Sequence, residues 1–188
     1  MFQDLFYSIQ FIYIFIPAVL FLAGIYLGPY VVEKDIHILL AYPRWMAAFM
    51  EKYMGKSWNV ILIFFIILLL NNLSLFGAML SGFTIILPPV YAFLTGLNIS
   101  IISFEMMGWK GLWHMLVNPI AWLEFPAAWL SLAFGIKIST IFFTSNFSAA
   151  IVMWKELLPL YFKYVFSLLV IAAIIESFMI HIIDRFRE

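Results

Sequence analysis

The sequence predicts an all-α polytopic membrane protein, a bundle of about five transmembrane helices with one amphipathic helix at the membrane interface. Two observations carry that prediction. Of 188 residues, 66% are hydrophobic and 11% charged, against roughly 45–50% and about 25% in a soluble domain, so a water-soluble fold could not hide the apolar surface. Charge-free runs also recur at the length of about 20 residues that a helix needs to cross the hydrocarbon core. The ten acidic and ten basic residues cancel, which leaves no basic field for nucleic acid. Cysteine is absent, excluding disulfides, thiolate metal sites and cysteine nucleophiles.

The first uncharged run, 5–32, predicts a span over about 7–28. It has no basic stretch before it, exceeds the apolar region of a signal peptide, and offers no standard cleavage site at Gly28-Pro29. Residues 33–56 form the one long charged stretch. Met46, Phe49, Met50, Tyr53 and Met54 recur there at i, i+3, i+4, i+7 and i+8, which predicts a surface amphipathic helix over about 44–56. The uncharged run 57–104 is twice the length of a span and reads as a hairpin of spans 58–80 and 83–104, turning near Ser81-Gly82. A fourth span over 119–136 starts at Pro119, whose missing N–H costs nothing in a first helical turn. The fifth covers 161–183. Between these two, 138–154 is uncharged but interrupted by Ser, Thr and Asn. It reads as interfacial or re-entrant, or as a sixth span.

Trp45, Trp58, Trp109, Trp113 and Trp154 fall near predicted span ends, where indole rings favour the interface. With five spans, Lys34, Arg44, Lys52, Lys56, Lys110, Arg185 and Arg187 share one side against Lys137, Lys155 and Lys163. The positive-inside rule then sets the amphipathic helix and the C-terminus in the cytoplasm of a multi-pass cell-membrane protein; a sixth span would move the C-terminus outside. With no internal repeat or flexible linker, 1–188 reads as a single transmembrane domain.

Small residues recur at helix-packing spacing. Gly24 and Gly28 form a GxxxG pair, and Ser74, Ala78 and Gly82 share a face with Asn71. Such faces let helices approach closely, within one chain or across a homodimer seam. Two acids sit inside apolar runs, Glu124 and Glu176. A charge at a helix centre costs roughly 2.5–3.5 kcal/mol on insertion scales, so each should be protonated, partnered or beside water. Glu124, Ala128, Ser131 and Gly135 share one face, and Glu176 shares one with Ala172 and Ala173. The pair reads either as functional or as structural hydrogen-bonders. Pro126 leaves an upstream carbonyl free near Glu124. Asn71 and Asn72 suit bridging between helices, and Pro88-Pro89 are expected to distort the third span. His37, His114 and His181 lack metal-ligand spacing. No phosphate-binding loop or nucleophile elbow is present, so neither an enzyme, a cofactor nor a metal is expected. The partners expected are membrane lipids and other proteins or a second copy, with no nucleic acid.

At these same positions the chain resembles the stage II sporulation protein M family. That family reads approximately N-N near the start of a span, then N-G, then P-H-G-x-x-E-x-P-A followed by G, then A-A-x-x-E in a last span. The matches here are Asn71-Asn72, Gly96, Pro119, Glu124, Pro126, Ala127, Gly135, Ala172-Ala173 and Glu176, with the first span ending in Gly24-Ile25-Tyr26-Leu27-Gly28. The family's His-Gly is Ile120-Ala121 here and its N-G is Thr95-Gly96, so no role of that histidine or asparagine carries over. The resemblance implies a non-enzymatic membrane component that anchors or assembles partners for envelope or membrane remodelling, as the founding member does in spore engulfment with peptidoglycan-degrading partners. The buried glutamates keep an alternative in view, a proton- or cation-coupled transporter or channel.

Overall fold

A computed structural model describes residues 10–53 and 59–185. Among these residues all regular structure is helical. The order is α1 (Phe11–Glu33), α2 (His37–Tyr53), α3 (Val60–Leu80) with a 3-10 turn (Ser81–Thr84), α4 (Leu87–Met107), α5 (Trp109–Val117), α6 (Ala121–Thr144), α7 (Phe147–Leu160), a π segment (Tyr161–Phe166) and α8 (Ser167–Arg185). Five helices are long and apolar enough to cross a membrane: α1, α3 with its turn, α4, α6, and the run from α7 into α8. The protein is therefore an all-α polytopic bundle. The expected first residues of spans one and two, the end of the interfacial helix, Trp58 and Arg187 lie outside the described residues.

Span four is central. In α6, 56% of the most apolar stretch is buried, against 17–33% in the other spans. On one side α1 and α4 make the closest seam. A Cβ on Gly24 would strike the Phe93 carbonyl, one on Gly96 the Phe21 carbonyl, and one on Gly28 the Ser100 hydroxyl. Ser100 Oγ donates to the Ile25 carbonyl at 2.7 Å. The Gly24/Gly28 pair is thus used within the chain, where backbones meet only because no side chain intervenes. On the other side α3 lies along α6, with Gly135 set against the Ala78 carbonyl and Gly82 against Gly135. The last helix runs antiparallel to α3. Phe147 meets Phe83 at 5.7 Å between ring centroids, Tyr161 meets Asn72, and Ala173 packs on Ile63 and Ile67.

Several elements differ from the sequence expectation. Pro88 and Pro89 do not kink the third span; they occupy its first turn, where proline's fixed φ and missing N–H are tolerated. The stretch 138–154 is neither a sixth span nor one re-entrant piece. It divides at Ser145-Asn146, its first part completing α6 and its second opening α7, with Asn146 Oδ1 accepting from the Ala149 N–H at 2.9 Å as an N-cap. The fourth span therefore runs to Thr144, and the fifth helix begins fourteen residues before the expected 161. The surface helix starts at His37 rather than 44. It buries Leu40 against Val31, Leu97 and Ile101, and Arg44 ties it to α4 through Glu105 (2.8 Å) and to Asp35 (3.3 Å). Tyr42, Trp45 and Phe49 stack along its outer side. Trp109 and Trp113 are exposed on α5. Trp154, expected at an interface, has its indole N–H buried with no hydrogen-bond partner.

Candidate functional site

The polar residues singled out in the apolar runs converge on α3. Asn71 and Asn72 are consecutive and so point about 100° apart around the helix, which lets each reach a different neighbour. Asn71 Nδ2 donates to Glu124 Oε1 of α6 at 2.7 Å. The Tyr161 hydroxyl donates to Asn72 Oδ1 at 3.0 Å and to the Asn72 carbonyl at 3.3 Å. Asn72 is the middle residue of the apolar Val60–Thr84 stretch, so both pairs sit at half the height of that span. Helix rise from Pro119 alone would set Glu124 only about 7 Å in from the start of its span. It is deeper, because α6 starts level with the interior of α3 rather than with its end.

Glu176 of α8 lies within electrostatic reach of Glu124. Its helix face carries Ala172 and Ala173, both fully buried, so small side chains let α8 close on its neighbours and bring the second carboxyl inward. Both glutamates are partly buried. Chemically, the cluster joins an amide donor to one carboxyl and holds a second carboxyl within its electrostatic reach.

The same stretch of α3 carries further bonds that no sequence signal announced. Ser131 Oγ donates to the Leu75 carbonyl. The Ser74 and Tyr91 hydroxyls lie 3.2 Å apart, and Tyr91 also reaches the Ser74 carbonyl at 3.1 Å. Positions 71–75 of α3 thus bond to α4, α6 and the π segment. Tyr161 is fully buried; at the expected start of a span a tyrosine reads as an interface anchor, which hid its role.

Other candidates lie elsewhere. Pro88 packs near Gly135, eleven residues from Glu124, or about 16 Å by helix rise, so the prolines and the carboxyls share no cavity. Pro119 lies in the turn two residues before the first residue of α6, and α6 continues through Pro126. Gly24, Gly28 and Gly96 belong to the α1–α4 seam. A groove of about 310 Å³ lined by Val60, Ile61, Phe64, Ile174, Ser177 and Phe178 is apolar and holds neither carboxyl. Among the described residues no group of three or more His, Asp or Glu is placed to hold a metal.

Comparison with known proteins places this arrangement. A family model described as stage II sporulation protein M matches residues 17–179. No curated protein and no solved structure matches the chain. The matched region takes in the three middle spans whole, most of the first and the last, and every member of the polar cluster, Asn71, Asn72, Glu124, Tyr161 and Glu176, and the chain belongs to the stage II sporulation protein M family.

Proposed function

We propose that this protein is a non-enzymatic, multi-pass component of the cell membrane that anchors or assembles partner proteins for envelope or membrane remodelling. The observation that carries the reading is how its intramembrane polar groups are spent. Asn71, Asn72, Tyr161 and Ser131 are engaged in bonds between helices, as in a scaffold whose spans must keep one arrangement. Membership of the stage II sporulation protein M family supports it. The surface helix, with exposed Ile38, Tyr42 and Trp45, supplies an interfacial platform for lipids and partners. The test is purification from native membranes with quantitative mass spectrometry. A stoichiometric protein partner is the expected result; repeated recovery of the chain alone overturns the reading.

One observation favours a second reading, coupled movement of protons or cations. Two carboxyls on helices long and apolar enough to span a membrane stand within electrostatic reach of one another, and intramembrane acids serve such relays. In proteoliposomes this reading requires a flux that Glu124→Gln and Glu176→Gln each reduce. No flux at any pH, or a flux unchanged by both substitutions, removes it.

A further inference from the structure

The outward faces of the early spans are apolar along their length, with Phe15, Val19 and Leu22 on α1 and Ile61, Phe65 and Leu69 on α3. The outward face of the last helix is different. Lys155, Glu156 and Lys163 are all exposed there. These residues are not in a loop. Phe147 meets Phe83 and Tyr161 meets Asn72, so Lys155 and Glu156 stand opposite the 72–83 stretch of span two. They lie eight and nine residues past the start of α7, or about 12–14 Å by helix rise. Among the described residues neither makes an ion pair within the chain, while Lys163 Nζ lies 5.2 Å from the Tyr164 ring centroid. Ionisable groups at membrane depth ordinarily face protein or water rather than lipid.

We propose that the Lys155–Glu156 face of α7 is covered by a second copy of the chain, in a two-fold dimer whose axis runs along the membrane normal. The argument is charge complementarity. Copies inserted in the same orientation can be related by a two-fold only about the normal, and such an axis brings together residues of equal height. An isologous interface must also be self-complementary. Lys155 and Glu156 are adjacent, differ in height by about 1.5 Å, and carry opposite charge. Each Lys155 then meets the partner's Glu156, twice over, in one interface. The inference goes beyond the assembly reading, because such a dimer forms with or without another protein bound.

The chain has no cysteine, so single cysteines report the interface directly. Val152 is exposed one turn before the charge pair, and Leu69 is exposed on span two. Under mild oxidation in native membranes, Val152→Cys should give a covalent species at twice the 21.9 kDa chain mass, well above the yield from Leu69→Cys. Adding Glu156→Lys should cut that yield roughly fivefold, the scale of a lost polar contact between spans. Adding Lys155→Glu as well should restore it, since the double exchange keeps opposite charges at one height. Equal yields at Val152 and Leu69, indifference to Glu156→Lys, failure of the double exchange to rescue, or a cross-linked mass that includes another protein would each overturn the dimer. Partner recovery in the native purification is scored separately, so loss of this dimer and loss of the assembly reading are told apart.

Discussion

Asn71 donates to a partly buried carboxyl at half the height of its apolar span. Replacing Asn71 by Leu removes the donor and strands the acceptor, which costs about 1–3 kcal/mol when the group stays buried. Glu124→Gln keeps an oxygen acceptor and the side-chain volume, so its cost should stay below about 1 kcal/mol. Tyr161→Phe removes the hydroxyl that donates to both Asn72 oxygens and should cost about 1 kcal/mol. Reversible unfolding in lipid bicelles measures all three. Equal stability of Asn71→Leu and the unsubstituted protein would show that the Asn71–Glu124 bond holds nothing together. Residues of this kind were partly legible beforehand. An acid or an amide inside an apolar run stands out because the membrane makes it costly, and so Glu124, Glu176, Asn71 and Asn72 could be named from sequence. Which of them meet could not, because pairing depends on how far each helix is offset along its neighbour. Tyr161 carries no such signal, because a tyrosine near a span end has an ordinary explanation in the interface belt.

Helices in this bundle approach one another through glycines whose surroundings differ sharply. At Gly96 an added methyl meets the Phe21 backbone, and at Gly24 the Phe93 carbonyl. Backbone cannot swing aside, so Gly96→Ala and Gly24→Ala should each destabilise by about 1–3 kcal/mol or more, the usual cost of overpacking. Gly77 sits on the same kind of helix with nothing within 4 Å of the added carbon, and Gly77→Ala should be neutral or stabilising by up to about 1 kcal/mol through helix propensity. Thermal melts in one detergent compare the three variants. A Gly96→Ala protein that melts with the unsubstituted chain would place the α1–α4 seam further apart than described. At this scale the GxxxG spacing was readable, since only close contact explains its use. Element ends were less so. Uncharged runs show where a helix can lie in lipid but not where it turns, and the turn after Thr144 rests on one capping side chain, Asn146. Pro88 and Pro89 misled for a related reason. A proline pair looks like a kink when the span is drawn from 83, and like an N-terminus once the chain is known to turn through Ser81–Thr84 first.

Orientation is a property of the whole molecule, and it follows from charge once the crossings are fixed. One end of the bundle gathers the last residues of α1, the surface helix, the α4–α5 junction and the end of α8, and with them Lys34, Arg44, Lys52, Lys110 and Arg185. The opposite end holds the Ser81–Thr84 turn and the Ser145-Asn146 break, with Lys137 the nearest cation in α6. Basic residues flanking short connections are retained in the cytoplasm, so the first end is expected to face inward. Two cysteines test this with no background, because the chain has none of its own. Lys110 and Ser145 are both exposed and are separated by one crossing, α6. In intact cells a membrane-impermeant maleimide should label Ser145→Cys, and Lys110→Cys should react only after the membrane is opened. The reverse pattern would mean that the charge bias does not orient the bundle. Equal labelling of both from outside would mean that α6 does not cross, and would remove the shared depth on which the Asn71–Glu124 and Asn72–Tyr161 layer depends.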